Sequence, residues 1–245
     1  MQEHPTFPIG SDPRQLLAPS LAIAQIQCDF EIGTVIGTGW FISPRVLITA
    51  GHVLARSAAD QAINVVIKPG YSGAEPPALG TFSAVKFDFA PGWDFTVGTP
   101  LDYAAIEIDT DQTSFFSFRV LSDAQLTSQT FEIAGYPIGF GTQLGALYGA
   151  TGTVTIPTPD MTAYQNMLLY NISTSGGQSG APLFTISGSN TVVGIHVEDG
   201  LAGAFNVGIR ITTDVFGQLS KWQAGLEQVQ GGPAARPLSS TASPT

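Results

Sequence analysis

Three short motifs of this 245-residue chain hold the side chains best suited to chemistry. The first ends in His52, which follows the small residues at 49–51 and a strand-like run at 46–49. A general base must be held in one orientation while it stays open to a cleft, and a histidine at a strand end meets both needs. Histidines at such positions are also common in turns and cores, so this motif indicates catalysis only in combination with others.

The second motif surrounds Ser179 with glycines, in the order GGQSGAP over residues 176–182. A glycine-rich loop can turn backbone N–H groups toward a point beside the serine oxygen. Fixed donors at that point are what a tetrahedral oxyanion needs. The same pattern also fits an ordinary hairpin loop, so it too depends on its companions.

The third motif is Asp102 at the start of an alternating strand, residues 103–108. A carboxylate at a strand end can accept the Nδ1–H of an imidazole, which fixes the tautomer and stabilises the imidazolium. Asp94 and Asp109 lie close by in the sequence. The assignment to Asp102 therefore depends on its position between the other two motifs.

The segments that must position these residues have the character of an all-β protein. Short runs rich in Val, Ile, Thr and aromatic residues are separated by many of the 28 glycines and 17 prolines. Polar and apolar residues alternate clearly at 104–109 and 151–156, as expected for strands with one buried face. Such short, evenly distributed runs are typical of a sandwich or barrel. Helical spacing of apolar residues is convincing only from Asp214 to Val229.

Taken together, the motifs resemble those of the chymotrypsin-like (trypsin-fold) serine peptidases. Residues 49–52, Thr-Ala-Gly-His, resemble the family's Thr-Ala-Ala-His, and residues 177–182 resemble its Gly-Asp-Ser-Gly-Gly-Pro. The chain order His, Asp, Ser is also that of this family and not that of subtilisins or α/β-hydrolases. The resemblance implies two antiparallel six-stranded β-barrels, with the site in the cleft between them, and a C-terminal α-helix.

The resemblance also implies a role for each residue of the site. Ser179 would be the nucleophile and His52 the general base and then acid, while Asp102 would orient His52. The backbone N–H groups of Gly177 and Ser179 would form the oxyanion hole. No cofactor and no metal ion are expected.

Within this fold the chain is most similar to the V8-like glutamyl endopeptidases. In that group a Thr or Ser and a His bind the P1 carboxylate, at positions that Thr174 and His196 match here. The resemblance implies cleavage after Glu, with Asp as a second P1 residue. Viral 3C-like peptidases use a similar pair for P1 glutamine, so a Gln preference stays open. The alternative for His196 is a structural histidine of the core or of a strand edge, whose ring makes its hydrogen bonds within the protein.

One position departs from the family pattern. Gln178 stands where many members carry an acid that pairs with the freshly cut N-terminal amine, so that ion pair is not available here. In the V8-like group the mature α-amino group instead helps to form the P1 pocket. Removal of part of residues 1–18 is therefore one way in which the active form could arise.

Two other functions remain open at this point. An HtrA-like regulated peptidase would lack its usual partner module, because the residues after Gln228 are too few to form a PDZ domain. An inactive trypsin-fold binding module has no chemical need for all three triad residue types together with both loop glycines. A serine endopeptidase is therefore the leading hypothesis.

Charge and composition restrict the partners. Nine Lys and Arg face 19 Asp and Glu, a net charge of −10, which repels phosphate backbones and anionic membranes. We therefore expect no nucleic acid and no membrane as partners. The resemblance to the serine peptidases implies protein or peptide substrates, and a monomer is expected. A lone Cys28 cannot form an internal disulfide, and three scattered histidines cannot supply a Cys/His zinc cluster. The composition resembles that of secreted hydrolases, so a secreted or extracytoplasmic location is expected, although residues 1–4 do not begin a signal peptide.

The same patterns divide the chain into consecutive parts. The polar, poorly patterned stretch after the first group of strands is interpreted as a connector, and the Gly/Pro/Ser/Ala-rich end as a disordered tail. The predicted parts are an N-terminal arm or propeptide remnant (1–18), a first barrel (19–112), the connector (113–128), a second barrel (129–213), a helix (214–229) and the tail (230–245).

Overall fold

A computed structural model describes residues 7–8, 18–74, 76–138, 144–186, 190–201 and 205–226 of the chain. These residues form an all-β protein whose strands, β1 to β14 in chain order, belong to two sheets. The described helices are short except the last, and none of them is long and apolar enough to span a membrane.

The first sheet is a closed barrel in which every neighbouring pair of strands is antiparallel. Side chains on both faces of this sheet are fully buried: Trp40 and Ile48 share one face and Ile106 lies on the other, all at 0% exposure. The strands are β2 (Ile23–Asp29), β3 (Thr34–Phe41), β4 (Val46–Ala50), β5 (Asn64–Pro69), β6 (Phe82–Phe89) and β7 (Tyr103–Ile108), and they pair in the order β2-β3-β4-β7-β6-β5.

The second sheet contains β1 (Phe7–Pro8), β8 (Phe131–Gly135), β9 (Tyr148–Gly152), β10 (Val154–Thr155), β11 (Met167–Tyr170), β12 (Pro182–Thr185), β13 (Val192–Leu201) and β14 (Phe205–Arg210). The order is β1-β9-β8-β12-β13-β14-β11-β10. Only Thr153 separates β9 from β10 in the chain, yet β9 lies near one end of the strand order and β10 lies at the other end. The sheet must therefore curve back on itself, and β9 with β10 acts as one bent strand of a six-stranded barrel. The prediction of two antiparallel barrels is confirmed.

The C-terminal helix α4 (Thr213–Gln223) is also confirmed. Thr212 caps it by accepting a hydrogen bond from the Val215 N–H. Trp222 lies on its buried stripe, packs edge-on against Tyr103 of the first barrel and donates its indole N–H to Asp88 at 2.9 Å. The helix ends before Gly225, which has a φ of 116°. The predicted continuation at 227–229 and the predicted tail lie outside the described residues.

The other helices escape the sequence reasoning because each has less than two turns. They are α1 (Ala18–Leu21), α2 (Gly51–Leu54), α3 (Asp123–Thr127) and a 3-10 turn (Thr162–Tyr164). Helix α3 lies in the predicted connector and begins with a capping box, in which Ser122 and Gln125 exchange hydrogen bonds with each other's backbone N–H groups. The predicted part boundaries stay predictions.

The connector crosses the interface between the two barrels, which is called the seam below. The Phe116 ring lies 6.1 Å from that of Trp40 in the first barrel and 5.2 Å from that of Phe184 in the second. Its backbone N–H donates to Phe41, and the Arg119 N–H donates to Val192. Because both barrels are bonded to one segment, their facing surfaces are held in register.

Candidate active site

His52 is the second residue of α2, directly after β4 ends. The small residues before it are explained by packing: a Cβ at Gly51 would lie 2.8 Å from the Trp93 ring. The His52 side chain is 18% exposed. The imidazole is therefore fixed by its surroundings on one side and accessible on the other, as a general base requires.

Asp102 is fully buried beside His52, with 0% exposure. Its Oδ2 lies 2.7 Å from His52 Nδ1 and also accepts the Gly98 N–H at 2.9 Å. Its Oδ1 accepts the backbone N–H of His52, again at 2.9 Å. A carboxylate held by these donors orients the ring, so Nε2 is the nitrogen left to exchange a proton with a reactant.

The two aspartates weighed against Asp102 are engaged elsewhere. Asp94 is exposed and accepts the Thr96 N–H, and its hydrogen bonds to Thr96 hold the pKa of the Asp94 carboxyl below its ordinary value. Asp109 is exposed and accepts a hydrogen bond from the Thr110 hydroxyl. Of the three carboxylates, the structure brings Asp102 to His52.

The Ser179 loop begins with a tight turn that Gln178 closes twice. The Gln178 N–H donates to the Ser175 carbonyl at 3.1 Å, and its side-chain Oε1 accepts the Ser175 N–H at 2.9 Å. Gly177 and Gly180 have φ of 90° and 88°, which favours glycine. A Cβ at Gly177 would also lie 2.4 Å from the Tyr136 carbonyl oxygen. The glycines of this motif are thus required by conformation and by space.

Backbone hydrogen bonds place Ser179 against both barrels. Its carbonyl accepts the Thr38 N–H of β3 at 2.9 Å, and the following Gly180 N–H donates to the His196 carbonyl of β13 at 2.7 Å. A Cβ at Gly180 would lie 2.8 Å from the Ala50 nitrogen, so the loop touches the end of the strand that leads to His52. The nucleophile candidate lies at the seam.

Two backbone donors of the loop have no acceptor within the described part of the chain. Among the described residues, the N–H groups of Gly177 and Ser179 donate no hydrogen bond. Donors without a partner beside a serine are what an oxyanion hole needs in the resting state. Within the same residues no hydrogen bond joins Ser179 to His52; such contacts commonly tighten only when substrate binds.

The two residues predicted to bind the P1 side chain, Thr174 and His196, each lie beside a polar partner. His196 is 1% exposed, and its Nδ1 lies 2.7 Å from the Tyr170 hydroxyl. Thr174 accepts a hydrogen bond from the Asn206 side-chain amide at 2.6 Å. A Cβ at Gly208, which pairs with His196 across β13 and β14, would lie 2.9 Å from the Tyr170 hydroxyl oxygen.

Sequence reasoning misses Tyr170 and Asn206. The available signal was a polar group inside an otherwise apolar strand, since Asn206 interrupts the run of β14 and Tyr170 ends that of β11. A buried, hydrogen-bonded ring is also what a core histidine would show. The role of His196 in a P1 pocket therefore stays a prediction.

Cys28 takes no part in this site. It lies in β2 with 0% exposure, and burial raises the pKa of its thiol far above the ordinary value. A thiol that stays protonated is a poor nucleophile. The reactive candidate is the serine.

The family comparison covers the three candidate triad residues. The profile described as "Trypsin-like peptidase domain" matches residues 37–195, which include His52, Asp102 and Ser179. The chain belongs to the trypsin-like peptidase family. It is a trypsin-like serine peptidase, as the sequence motifs predict.

One curated relative and one solved structure narrow the resemblance. The peptidase is 31% identical over 229 residues to a protein named glutamyl endopeptidase from Bacillus licheniformis, covering 88% of this chain and 68% of that protein. A solved structure titled as a Glu endopeptidase in complex with MPD superposes with a TM-score of 0.74 at 23% identity, covering 91% of this chain and 99% of that one. The predicted similarity to the glutamyl endopeptidases is confirmed.

Another relative carries a different kind of name. A Bacillus subtilis protein named extracellular metalloprotease is 26% identical over 230 residues, covering 89% of this chain and 70% of that protein. Among the residues described here, no group of three or more His, Cys, Asp and Glu side chains could hold a metal ion. The donor set in that part of the chain does not fit a catalytic metal, so no step is assigned to one.

Proposed function

We propose that this peptidase is a serine endopeptidase whose triad is His52, Asp102 and Ser179, and that it cleaves preferentially after Glu. The observation that carries the proposal is the 2.7 Å contact of His52 Nδ1 with the buried Asp102 carboxylate. Nearby, a glycine loop carries Ser179 and the backbone N–H groups of Gly177 and Ser179, which donate to no acceptor among the described residues.

The chemistry follows from these positions. Ser179 Oγ attacks the scissile carbonyl carbon and gives its proton to His52 Nε2. The Nδ1–H of His52 remains hydrogen-bonded to the Asp102 carboxylate. The negative oxygen that develops accepts the N–H groups of Gly177 and Ser179. The C–N bond then breaks as His52 protonates the leaving amine, and an ester remains on Ser179. Water, activated by His52, hydrolyses that ester and releases the acid product.

The P1 preference is supported by the groups around Thr174 and His196. With Nδ1 engaged by Tyr170, any bond from the His196 ring to a substrate has to come from Nε2. Thr174 accepts from Asn206, and a hydroxyl that accepts can donate its own proton at the same time. A hydroxyl and an imidazole are groups that suit a carboxylate, and a protonated ring would add charge. The relatives named glutamyl endopeptidases support Glu over Gln. Asp is proposed as the second P1 residue because it carries the same charged group.

Glutamine at P1 is the chemical rival, since a neutral Nε2–H also donates to a carboxamide. Digesting an unbiased peptide mixture and sequencing the products reads the P1 residue directly. We expect Glu to dominate, and a Gln or basic preference would contradict the pocket assignment.

In Tyr170→Phe the His196 ring loses the hydrogen bond that fixes it, and kcat/KM on P1 Glu should fall by about tenfold, the weight of one buried hydrogen bond. Tyr164→Phe, on the 3-10 turn, is the matched control.

The nucleophile is tested separately from the pocket. A fluorophosphonate probe should label the wild type at Ser179 and leave Ser179→Ala unlabelled. His196→Ala should still be labelled while its P1 profile loses Glu. A wild type that is folded and unlabelled would favour an inactive binding module instead.

We also propose that the peptidase acts outside the cytoplasm as a monomer on protein or peptide substrates. The word "extracellular" in the name of the B. subtilis relative supports the location. Both barrels of a single chain contribute to the site, which supports the monomer. Fractionation of the producing cells and light scattering of the purified protein test the two statements.

A further inference from the structure

Thr38 lies at the middle of the seam and is fully buried, with 0% exposure. It belongs to β3 of the first barrel, yet most of its hydrogen bonds go to the second. Its hydroxyl donates to the Gly177 carbonyl at 2.9 Å and accepts the Tyr136 N–H at 3.0 Å. Its backbone N–H donates to the Ser179 carbonyl at 2.9 Å.

These bonds fix both residues that supply the oxyanion donors. The carbonyls of Gly177 and Ser179 belong to the peptide groups that directly follow the two donor N–H groups. Holding both carbonyls limits the rotation of the backbone on either side of Gln178. That restraint matters because Gly177, at a φ of 90°, has no side chain to limit the rotation of its own peptide.

The same residue is also tied to the strand that carries the base. The Thr49 hydroxyl, in β4, donates to the Thr38 carbonyl oxygen at 2.8 Å. Thr49 is fully buried and lies three residues before His52. Thr38 thus connects the strand that leads to the general base with the loop that presents the nucleophile.

The surroundings of Thr38 leave room for nothing larger. A Cβ at Gly135 would lie 2.8 Å from the Thr38 hydroxyl oxygen, and one at Gly180 would lie 2.2 Å from its carbonyl oxygen. Glycine at both positions lets the second barrel approach close enough for these bonds to form. The hydroxyl uses its single proton on Gly177 and accepts one bond, so a side chain of the same shape without the hydroxyl would lose both.

We propose that Thr38 is a positioning residue for the oxyanion hole, which acts through Gly177 and Ser179 and not by touching substrate. The inference rests on the proposed serine endopeptidase function. It concerns the hydroxyl group in particular, because the backbone N–H of any residue other than proline at this position would still reach the Ser179 carbonyl.

The test compares Thr38→Val, which keeps the shape and loses the hydroxyl, with Thr38→Ser, which keeps the hydroxyl. Removing a whole oxyanion donor costs about 10²- to 10³-fold in kcat, so loss of a positioning bond should cost about 10- to 100-fold. We expect that loss in kcat for Thr38→Val, with KM within about twofold, since the oxyanion exists only in the transition state. Thr38→Ser should retain activity within about threefold.

A boronic acid inhibitor gives a readout that a merely structural role would not move. Its affinity should fall in Thr38→Val in proportion to kcat/KM, because its oxygen occupies the oxyanion hole. Thr185→Val, another buried threonine that accepts a backbone N–H in the second barrel, is the control and should keep wild-type kcat. If Thr38→Val does not fold, Thr38→Ala replaces it. The kcat of the wild type and of Thr38→Ser should then both be well above that of Thr38→Ala.

Two results would overturn the proposal. One is a folded Thr38→Val or Thr38→Ala enzyme with wild-type kcat, and the other is a Thr38→Ser enzyme as impaired as the variant without a hydroxyl. Labelling separates this failure from that of the proposed function. Wild-type protein that reacts with fluorophosphonate at Ser179 upholds the function even when Thr38 proves dispensable, whereas unlabelled wild type defeats both.

Discussion

At the scale of single residues, the site depends on groups that are buried and hydrogen-bonded before any substrate arrives. Asp102 receives donors from His52 and Gly98 at fixed positions, so the imidazole needs no reorganisation when it becomes charged. Preorganised partners of this kind are the main way in which an enzyme stabilises charge that appears in a transition state. The contribution of Asp102 can be measured against a carboxylate that lacks these bonds.

Asp102→Asn should lower kcat by about 10⁴-fold, because the amide favours the wrong tautomer of His52 while leaving the fold intact. The measurement is hydrolysis of a P1 Glu peptide at neutral pH. Asp109→Asn, an exposed aspartate beyond the far end of β7, removes the same charge and should keep wild-type kcat. Equal activity of the two variants would contradict the assignment of Asp102.

Glu132 predicts a pH dependence of stability. It lies half-buried in β8, and burial raises the pKa of its carboxyl above the ordinary value. Below the unfolded pKa the carboxyl is protonated in both states and costs nothing; as pH rises through the folded pKa, the folded state loses stability relative to the unfolded one. Glu132→Gln should therefore raise Tm at pH 7 and leave it nearly unchanged at pH 4. Thermal melts at both pH values check this, and an equal shift at both would contradict it.

At the scale of elements, the strands and turns follow from patterns of several residues that can be seen in the sequence. The helix ends depend instead on single residues. Helix α4 contains Gly217, where an added Cβ would contact nothing, and is followed by Gly225, whose φ is 116°. The first glycine only costs backbone entropy, while the second takes up a conformation that other residues adopt at a cost.

Gly217→Ala should stabilise the protein by about 0.5–1 kcal/mol, the usual gain for glycine to alanine in an exposed helix interior. This corresponds to a rise in Tm of about 1–4 °C for a chain of this size. Gly225→Ala, a matched change just beyond the helix, should lower Tm. Thermal unfolding of both variants tests the pair, and a drop in Tm for Gly217→Ala would show that this position is not free.

At the scale of the whole molecule, the site exists only because two barrels are held together. Phe116 is 3% exposed and contacts both Trp40 and Phe184, whereas its neighbour Phe115 is 51% exposed. The seam is therefore stabilised by one of two adjacent phenylalanines. Their contrast isolates what docking of the barrels contributes.

Phe116→Ala should lower the free energy of unfolding by about 3–5 kcal/mol, since it removes a buried aromatic ring and leaves a cavity. It should also lower kcat, because Ser179 and His52 lie on opposite sides of the loosened seam. Phe115→Ala should change stability by less than about 0.5 kcal/mol. Denaturant unfolding and peptide hydrolysis give both readings, and a Phe116→Ala protein as stable as Phe115→Ala would exclude a role for the ring at the seam.

The sequence by itself determined the class of fold, the C-terminal helix and the short list of reactive residues. Alternating apolar residues define a strand locally, and a histidine or a glycine-flanked serine can be read from neighbours in the chain. The helices α1 to α3 were missed because one turn of helix leaves almost no periodic pattern.

The position of Asp102 between the other two motifs had already indicated it as the partner of His52, but only the tertiary structure brought the two side chains to 2.7 Å. The tertiary structure alone also revealed the contacts of Tyr170, Asn206 and Thr38 with the candidate site residues. These residues are distant in sequence from the groups they contact: 139 positions separate Thr38 from Gly177, and 26 separate Tyr170 from His196. Their side chains carry no local mark of that role. Pairing across strands and across two barrels is set by the packing of the whole chain, because a hydrogen bond depends on distance in space and not on order in the sequence.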